Sequence, residues 1–169
     1  VQTVLDAVCR YLPSPLDVGD VHGKDPKRLE KEERRPPDAS APLCALAFKI
    51  VGDSHGDLTF ARIYSGTLEQ GQGLWNPRLA RHERAMRLLR MHANEREPVE
   101  RAVAGDIVAI VGLKETATGD TLCDRSAPIV LEAMHFPEPV MSMRIEPKTN
   151  ADRDRLNEAL ARLAREDPT

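Results

Sequence analysis

Two stretches decide the fold class: Cys44-Ala45-Leu46-Ala47-Phe48-Lys49-Ile50-Val51 and Leu58-Thr59-Phe60-Ala61-Arg62-Ile63-Tyr64, joined by Gly52-Asp53-Ser54-His55-Gly56-Asp57. Both are short runs of residues that pack well on a pleated surface, separated by a Gly/Asp turn. In the second run, Leu58, Phe60, Arg62 and Tyr64 share one face, and Thr59, Ala61 and Ile63 the other. Neither face is wholly polar, so both are expected to be covered at least in part. Further along, Gly66, Gly71 and Gly73 punctuate a turn before Leu74-Trp75-Asn76, and Ile107 to Leu113 is a continuous apolar run suited to a central strand. Short strands at this spacing predict a barrel or a sandwich.

One stretch resists that rule. Residues 78–96 hold Leu79, Met86, Leu89 and many helix formers, with Arg78, Arg81, Arg84, Arg87 and Arg90 spaced by three, and pattern alone predicts a helix. The alternative is a strand with Ala85, Arg87, Leu89 and Met91 facing one way and Met86, Leu88, Arg90 and His92 the other. Local pattern leaves both open.

On the N-terminal side, Val4, Leu5, Val8 and Leu12 recur at helical spacing, and Pro13 and Pro15 stop that helix. The chain lacks an initiator Met, so the native start is expected upstream. Residues 14–42 carry Pro26, Pro36, Pro37 and Pro42 and a mixed-charge run from Lys24 to Arg35, with hardly any apolar spacing; they are expected to form a linker or surface-hugging extension. On the C-terminal side, Val140 to Ile145 alternates like a strand, with Val140, Ser142 and Arg144 against Met141, Met143 and Ile145. Thr149-Asn150-Ala151-Asp152 then supplies capping groups for a helix whose apolar stripe is Leu156, Leu160 and Leu163, with Glu158 placed to pair with Arg162. One strand and one helix cannot enclose a core, so this part is expected to be truncated.

The chain has 169 residues, 41% hydrophobic and 30% charged, enough for one ordinary core or two small ones. No apolar run approaches the roughly 18 residues of a membrane span and no signal segment opens it, so the expected compartment is the cytoplasm. Cys9, Cys44 and Cys123 lack any close spacing and are expected to be reduced, mostly buried thiols. No phosphate loop, dinucleotide turn, nucleophile elbow or His-Glu-x-x-His pair occurs, which weighs against catalysis. His82 and His92 have no third ligand beside them and are expected to be ordinary histidines, with no metal site.

A net charge of -3, from 24 Lys+Arg against 27 Asp+Glu, excludes nucleic-acid binding through global charge. Six aromatics are too few for a surface that stacks successive bases. Any such contact needs a local patch. From Arg78 to Arg101 there are seven arginines against four acids, which can hold phosphates by charge and forked hydrogen bonds. A solvated, internally paired face is the competing reading, and composition alone favours it. Gly105-Asp106 and Thr118-Gly119-Asp120-Thr121 are expected to be tight turns.

At Ala45-Leu46-Ala47-Phe48-Lys49-Ile50 and Leu58 to Leu68 the sequence resembles bacterial elongation factor G. The resemblance runs on through Glu83-Arg84, Arg87-Leu88-Leu89, Met91-His92-Ala93-Asn94, Ala104-Gly105-Asp106-Ile107, Val111-Gly112-Leu113-Lys114, Thr118 to Cys123 and Phe136-Pro137-Glu138-Pro139-Val140. Upstream, Leu5-Asp6-Ala7-Val8 and Tyr11-Leu12-Pro13-Ser14-Pro15 resemble the exit from that family's GTPase domain. Downstream, Glu146-Pro147-Lys148 and Ala159 to Thr169 resemble the opening of its third domain. The stretch from Gly19 to Ala41 is the weakest part, and Ala85-Met86, Trp75 and Pro98 depart from the family pattern.

The resemblance implies a mainly β fold: a translation-factor-type Greek-key β-barrel, an N-terminal helix and a truncated ferredoxin-like α+β piece. The implied division is 1–41 for the last GTPase-domain helix and linker, 42–133 for the barrel, and 134–169 for the first strand and helix of the third domain. It also implies strand for 78–96. The implied function is that of a noncatalytic piece of a translational GTPase that promotes ribosomal translocation, docking on small-subunit ribosomal RNA and on the parent's other domains. The alternatives are a paralogue in ribosome recycling or protection, and a free-standing β-barrel interaction domain. The parent binds GTP and magnesium, while this piece is expected to bind neither. The RNA-contact candidates are Arg78, Arg81 and Arg84, with Lys114, Thr116 and Thr118 in the facing loop. The apolar stripes and the unpaired strand at 140–145 further predict a weak homodimer through residues 140–169.

Overall fold

The computed structural model describes residues 1–52, 56–93, 95–131, 140–147 and 149–167, the side chain of Ala151 excepted. The turn residues 53–55 and the stretch 132–139 lie outside the described residues. The elements in chain order are α1 (Gln2–Tyr11), α2 (Pro15–Val18), β1 (Val21–Asp25), β2 (Arg28–Arg35), β3 (Cys44–Val51), β4 (Leu58–Ser65), β5 (Thr67–Glu69) and β6 (Gly73–Asn76). They continue as β7 (Arg81–Arg84), β8 (Arg87–His92), β9 (Glu95–Val99), β10 (Arg101–Val103), β11 (Ile107–Val111), β12 (Thr121–Cys123), β13 (Val130–Leu131) and α3 (Asn150–Glu166).

Eight strands form one antiparallel sheet in the order β7-β6-β12-β3-β4-β11-β8-β9, and β5 pairs with β10 beside it. The sheet curls on itself. Leu74 of β6 and Leu88 of β8, near opposite ends of the strand order, share one buried cluster with Ala45, Ile63, Leu68, Val108, Ile110 and Leu122. That cluster is the barrel interior, and it takes the Ala61 and Ile63 face of β4 as the alternation predicts. The opposite face is covered in two places. Tyr64 and Leu46 pack with Cys44, Cys123, Ile129 and Leu131, while Leu58 and Phe60 pack with Leu89 and Ala109. At the β4–β5 corner Gly66 adopts φ +78°, and a Cβ there would lie 2.6 Å from the Leu43 Cα, so only glycine lets the chain cross at that point.

Several expectations change. Residues 78–96 are not a helix but β7, β8 and the start of β9; the strand reading implied by the resemblance holds, with a break at Ala85-Met86. Because of that break Ala85 points inward with Leu88, rather than sharing a face with Leu89 and Met91. The stretch 14–42 is not a plain linker. Ser14 and Asp17 close a capping box on α2, and β1 and β2 form a hairpin whose β1 edge pairs with β13, Gly23 opposite Leu131. Its turn, Asp25-Pro26-Lys27-Arg28, is fixed by the proline and by the Asp25 carboxylate accepting from the Lys27 amide at 2.8 Å. Val140 to Ile145 forms no strand in the structure; Val140, Met141, Met143 and Ile145 are exposed, and no described residues pair with them. Cys9 is exposed on α1, whereas Cys44 and Cys123 are buried as expected.

The two flanking helices present their apolar stripes to water. Val4, Leu5, Val8 and Leu12 are exposed at the α1 end, and so are Leu160 and Leu163 on α3. Helix α3 starts where the sequence predicts, with the Thr149 hydroxyl oxygen accepting from the Asp152 amide at 3.3 Å. Its C-terminal end rests on the barrel.

Candidate functional site

The β6–β7 hairpin and the loop between β11 and β12 bring the six sequence-nominated residues to one end of the barrel. Arg78 lies in the hairpin turn, Arg81 and Arg84 bound β7, and Lys114, Thr116 and Thr118 lie in the facing loop. Two carboxylates hold these pieces together. Glu83 accepts from the backbone amides of Lys114 and Glu115 at 2.5 and 3.1 Å and from the Thr116 hydroxyl at 2.6 Å, fastening β7 to the loop. Asp120, almost fully buried, accepts from Asn76 Nδ2 and the Ala117 amide at 2.9 Å each and from the Arg78 guanidinium through both Nε and Nη2. Hydrogen bonding to Asp120 holds the Arg78 guanidinium above its ordinary pKa.

The nominated residues therefore divide. Arg78 is committed to Asp120, and the Thr116 hydroxyl is buried against Glu83. Thr118 turns toward α3: its amide donates to the Arg165 carbonyl at 3.3 Å and its hydroxyl to the Glu166 carbonyl at 3.0 Å, capping the helix end. Asp57 pairs with Arg162 and Arg165 of the same helix at 3.2 Å each. Arg81, Arg84 and Lys114 remain exposed. Arg81 Nη1 donates to both Glu115 oxygens at 2.6 and 2.7 Å, and Arg84 Nε donates to the Gly71 carbonyl at 2.6 Å. The Arg81–Glu115 pair lies in solvent, where such pairs contribute about 1 kcal/mol or less, so a phosphate can compete for that guanidinium.

Sequence reasoning misses Asp120 and Glu83 as organising groups. Asp120 reads as turn chemistry, and the available signal is an acid beside apolar Leu122 and Cys123 at the start of a strand. Beside the site, Trp75 meets the His82 ring edge-on at 4.9 Å, and the Arg125 guanidinium lies 5.3 Å over the indole. His82 is thus occupied by a stacking contact, and His92 lies 3.4 Å from Glu97. Among the described residues no group of three His, Cys, Asp or Glu is placed to hold a metal ion.

The comparisons with known proteins bear on this barrel and on α3 separately. Residues 56–123 match the family model described as Elongation factor Tu domain 2, and residues 136–169 match Elongation Factor G, domain III. The chain is 55% identical over 170 residues to the elongation factors G of Dehalococcoides mccartyi strains BAV1 and CBDB1, an alignment that spans all of this chain. This chain is similar to elongation factor G along its whole length. It spans 24% of the length of those elongation factor G relatives. The fold is also similar to a crystal structure of a Thermus thermophilus protein, with a TM-score of 0.72 and 26% identity, covering 99% of this chain and 23% of that one. The candidate edge falls within the domain 2 match, and α3 falls within the domain III match.

Proposed function

We propose that this chain is the part of a ribosomal translocase GTPase that docks the barrel on small-subunit ribosomal RNA and links it to the third domain. The single observation that carries the reading is the 55% identity to elongation factor G over the whole chain. The geometry adds an edge where Arg81, Arg84 and Lys114 keep exposed charge on a scaffold fastened by Glu83 and Asp120. Arg78 and Thr116 act as parts of that scaffold, and Thr118 acts toward α3. GTP and magnesium belong to other parts of the parent factor in this reading. The division into 1–41, 42–133 and 134–169 is part of the same proposal, with the hairpin of the first part resting on the barrel. So is a cytoplasmic location; among the described residues no helix is long and apolar enough to cross a membrane.

The test is ribosome binding by the intact factor as a function of salt. Reversing Arg81 and Arg84 to Glu should weaken binding and lower the salt slope by about one for each phosphate that is no longer neutralised. Unchanged affinity and slope would make these side chains a solvated face that does not touch RNA.

A further inference from the structure

The β3–β12 ladder places Cys44 opposite Cys123. Antiparallel ladders alternate between rungs that exchange backbone hydrogen bonds and rungs that do not. Here the Asp124 amide donates to the Leu43 carbonyl at 3.2 Å, and the Ala47 amide to the Asp120 carbonyl at 2.9 Å. Bonded rungs therefore fall at 43/124, 45/122 and 47/120, and the Cys44/Cys123 rung is an unbonded one. On such rungs the Cα atoms come to about 4.5 Å and the side chains are closest. A disulfide accepts Cα separations of about 4.4 to 6.8 Å.

Both thiols are free, and both point to the outer face of the barrel, where Ile129, Leu131, Val21, Leu46, Tyr64 and Trp75 cover them. The cover is slight. Strand β13 is two residues long, meets β1 at two register positions, and is tied to β12 by the Leu131 amide donating to the Thr121 hydroxyl oxygen at 2.9 Å. A flap with so few backbone bonds opens at far lower free energy than the barrel beneath it.

We propose that Cys44 and Cys123 form a cross-strand dithiol that oxidises to an internal disulfide when the β13 flap lifts, a redox-modification site on the outer face of the barrel. The oxidant is a small disulfide such as oxidised glutathione. One cysteine thiolate attacks it, forming a mixed disulfide and releasing one glutathione thiolate. The second cysteine thiolate then attacks the protein sulfur of that mixed disulfide, closing the Cys44–Cys123 bond and releasing the second glutathione. The two protons lost by the cysteines end on the two glutathione thiols, and the two electrons reduce the oxidant. In the closed state burial pushes the Cys44 thiol up to about 12, so it is protonated and inert, and exchange runs through the open flap.

The experiment uses the full chain carrying Cys9→Ser, which removes the exposed thiol. The protein is held in oxidised glutathione, quenched with an alkylating agent, and read by intact mass and peptide mapping. The expected result is loss of two hydrogen masses, a linked peptide joining Cys44 to Cys123, and retained hydrogen-exchange protection of β3 and β12 amides while the link forms. Recovery of both cysteines as alkylated thiols, or of stable glutathione adducts with no internal link, overturns the proposal. So does a link that appears only in urea strong enough to expose the β3 and β12 amides, because the pair would then meet only in the unfolded chain.

Discussion

Asp120 is the residue whose loss the barrel should feel most. Its carboxylate satisfies Asn76, the Ala117 amide and Arg78 from an almost fully buried position. Asp120→Ala leaves the buried Asn76 amide, the Ala117 amide and the Arg78 guanidinium without their acceptor, and the expected cost is about 3 kcal/mol in urea unfolding, with Asp120→Asn losing less because its amide oxygen still accepts. Cys44 sets a pH dependence. Burial keeps its proton in the folded state to about 12, against 9.0 for the free thiol, with Cys123 reinforcing the shift and Arg35 opposing it. The folded state thus holds a proton that the unfolded chain has already lost. The stability tied to this thiol is complete below pH 9 and disappears as the pH climbs toward 12, by about 1.4 kcal/mol per unit. Urea midpoints taken from about pH 8 to 11 should fall for the parent chain and fall less steeply for Cys44→Ala; identical slopes would remove Cys44 from the cause. Neither role is visible in sequence, since an Asp after Gly suggests a turn wherever it stands, and the cross-strand partner of a cysteine is set by a ladder that closes far along the chain.

At the scale of elements, those with local signals are legible in the sequence. Helix α3 carries its own start signal in Thr149 and Asp152, and β3, β4 and β11 carry apolar alternation or a continuous apolar run. Elements whose stability comes from distant partners are less legible. Arginine at every third residue from 78 to 90 imitates a helical stripe, yet β7 and β8 are held by β6 and β11. Strand β2 is almost wholly charged, and the hairpin's anchor, Gly23 of β1 against β13, shows no apolar period. Val140 to Ile145 has the alternation and lacks the ladder. The contact between α3 and the barrel is polar, through Asp57 and Thr118, and is open to test. Asp57→Ala removes a carboxylate that pairs with both Arg162 and Arg165 and should cost about 1 kcal/mol, seen as faster hydrogen exchange along α3 with the barrel unchanged. Equal exchange in both proteins would show that the carboxylate does not hold the helix.

For the whole molecule, the site is legible in the sequence as a region and not as a set of contacts: the positive excess is real, but Asp120 engages Arg78 and Glu115 engages Arg81. The apolar stripes of α1 and α3 are a second whole-molecule property. Each buried leucine is worth roughly 1.5 to 3 kcal/mol, so the isolated chain should self-associate weakly with rising concentration. Sedimentation of the parent and of a Leu160→Glu, Leu163→Glu variant measures it: the parent should show a concentration-dependent increase that the variant lacks, and a parent that stays monomeric would mean that the α3 stripe drives no pairing. The pairing of Gly23 with Leu131 bears on how such a chain is made. The ribosome that synthesises it delivers the β1–β2 hairpin first and β13 only after the whole barrel has emerged, at about 5 to 20 residues per second. For several seconds of every round of synthesis the hairpin waits with one edge unfilled. The waiting edge, Val21 to Asp25, is backed by a strand of Lys, Arg and Glu, and these charged side chains, costly to strip of water, keep neighbouring nascent chains from pairing there before its own partner arrives.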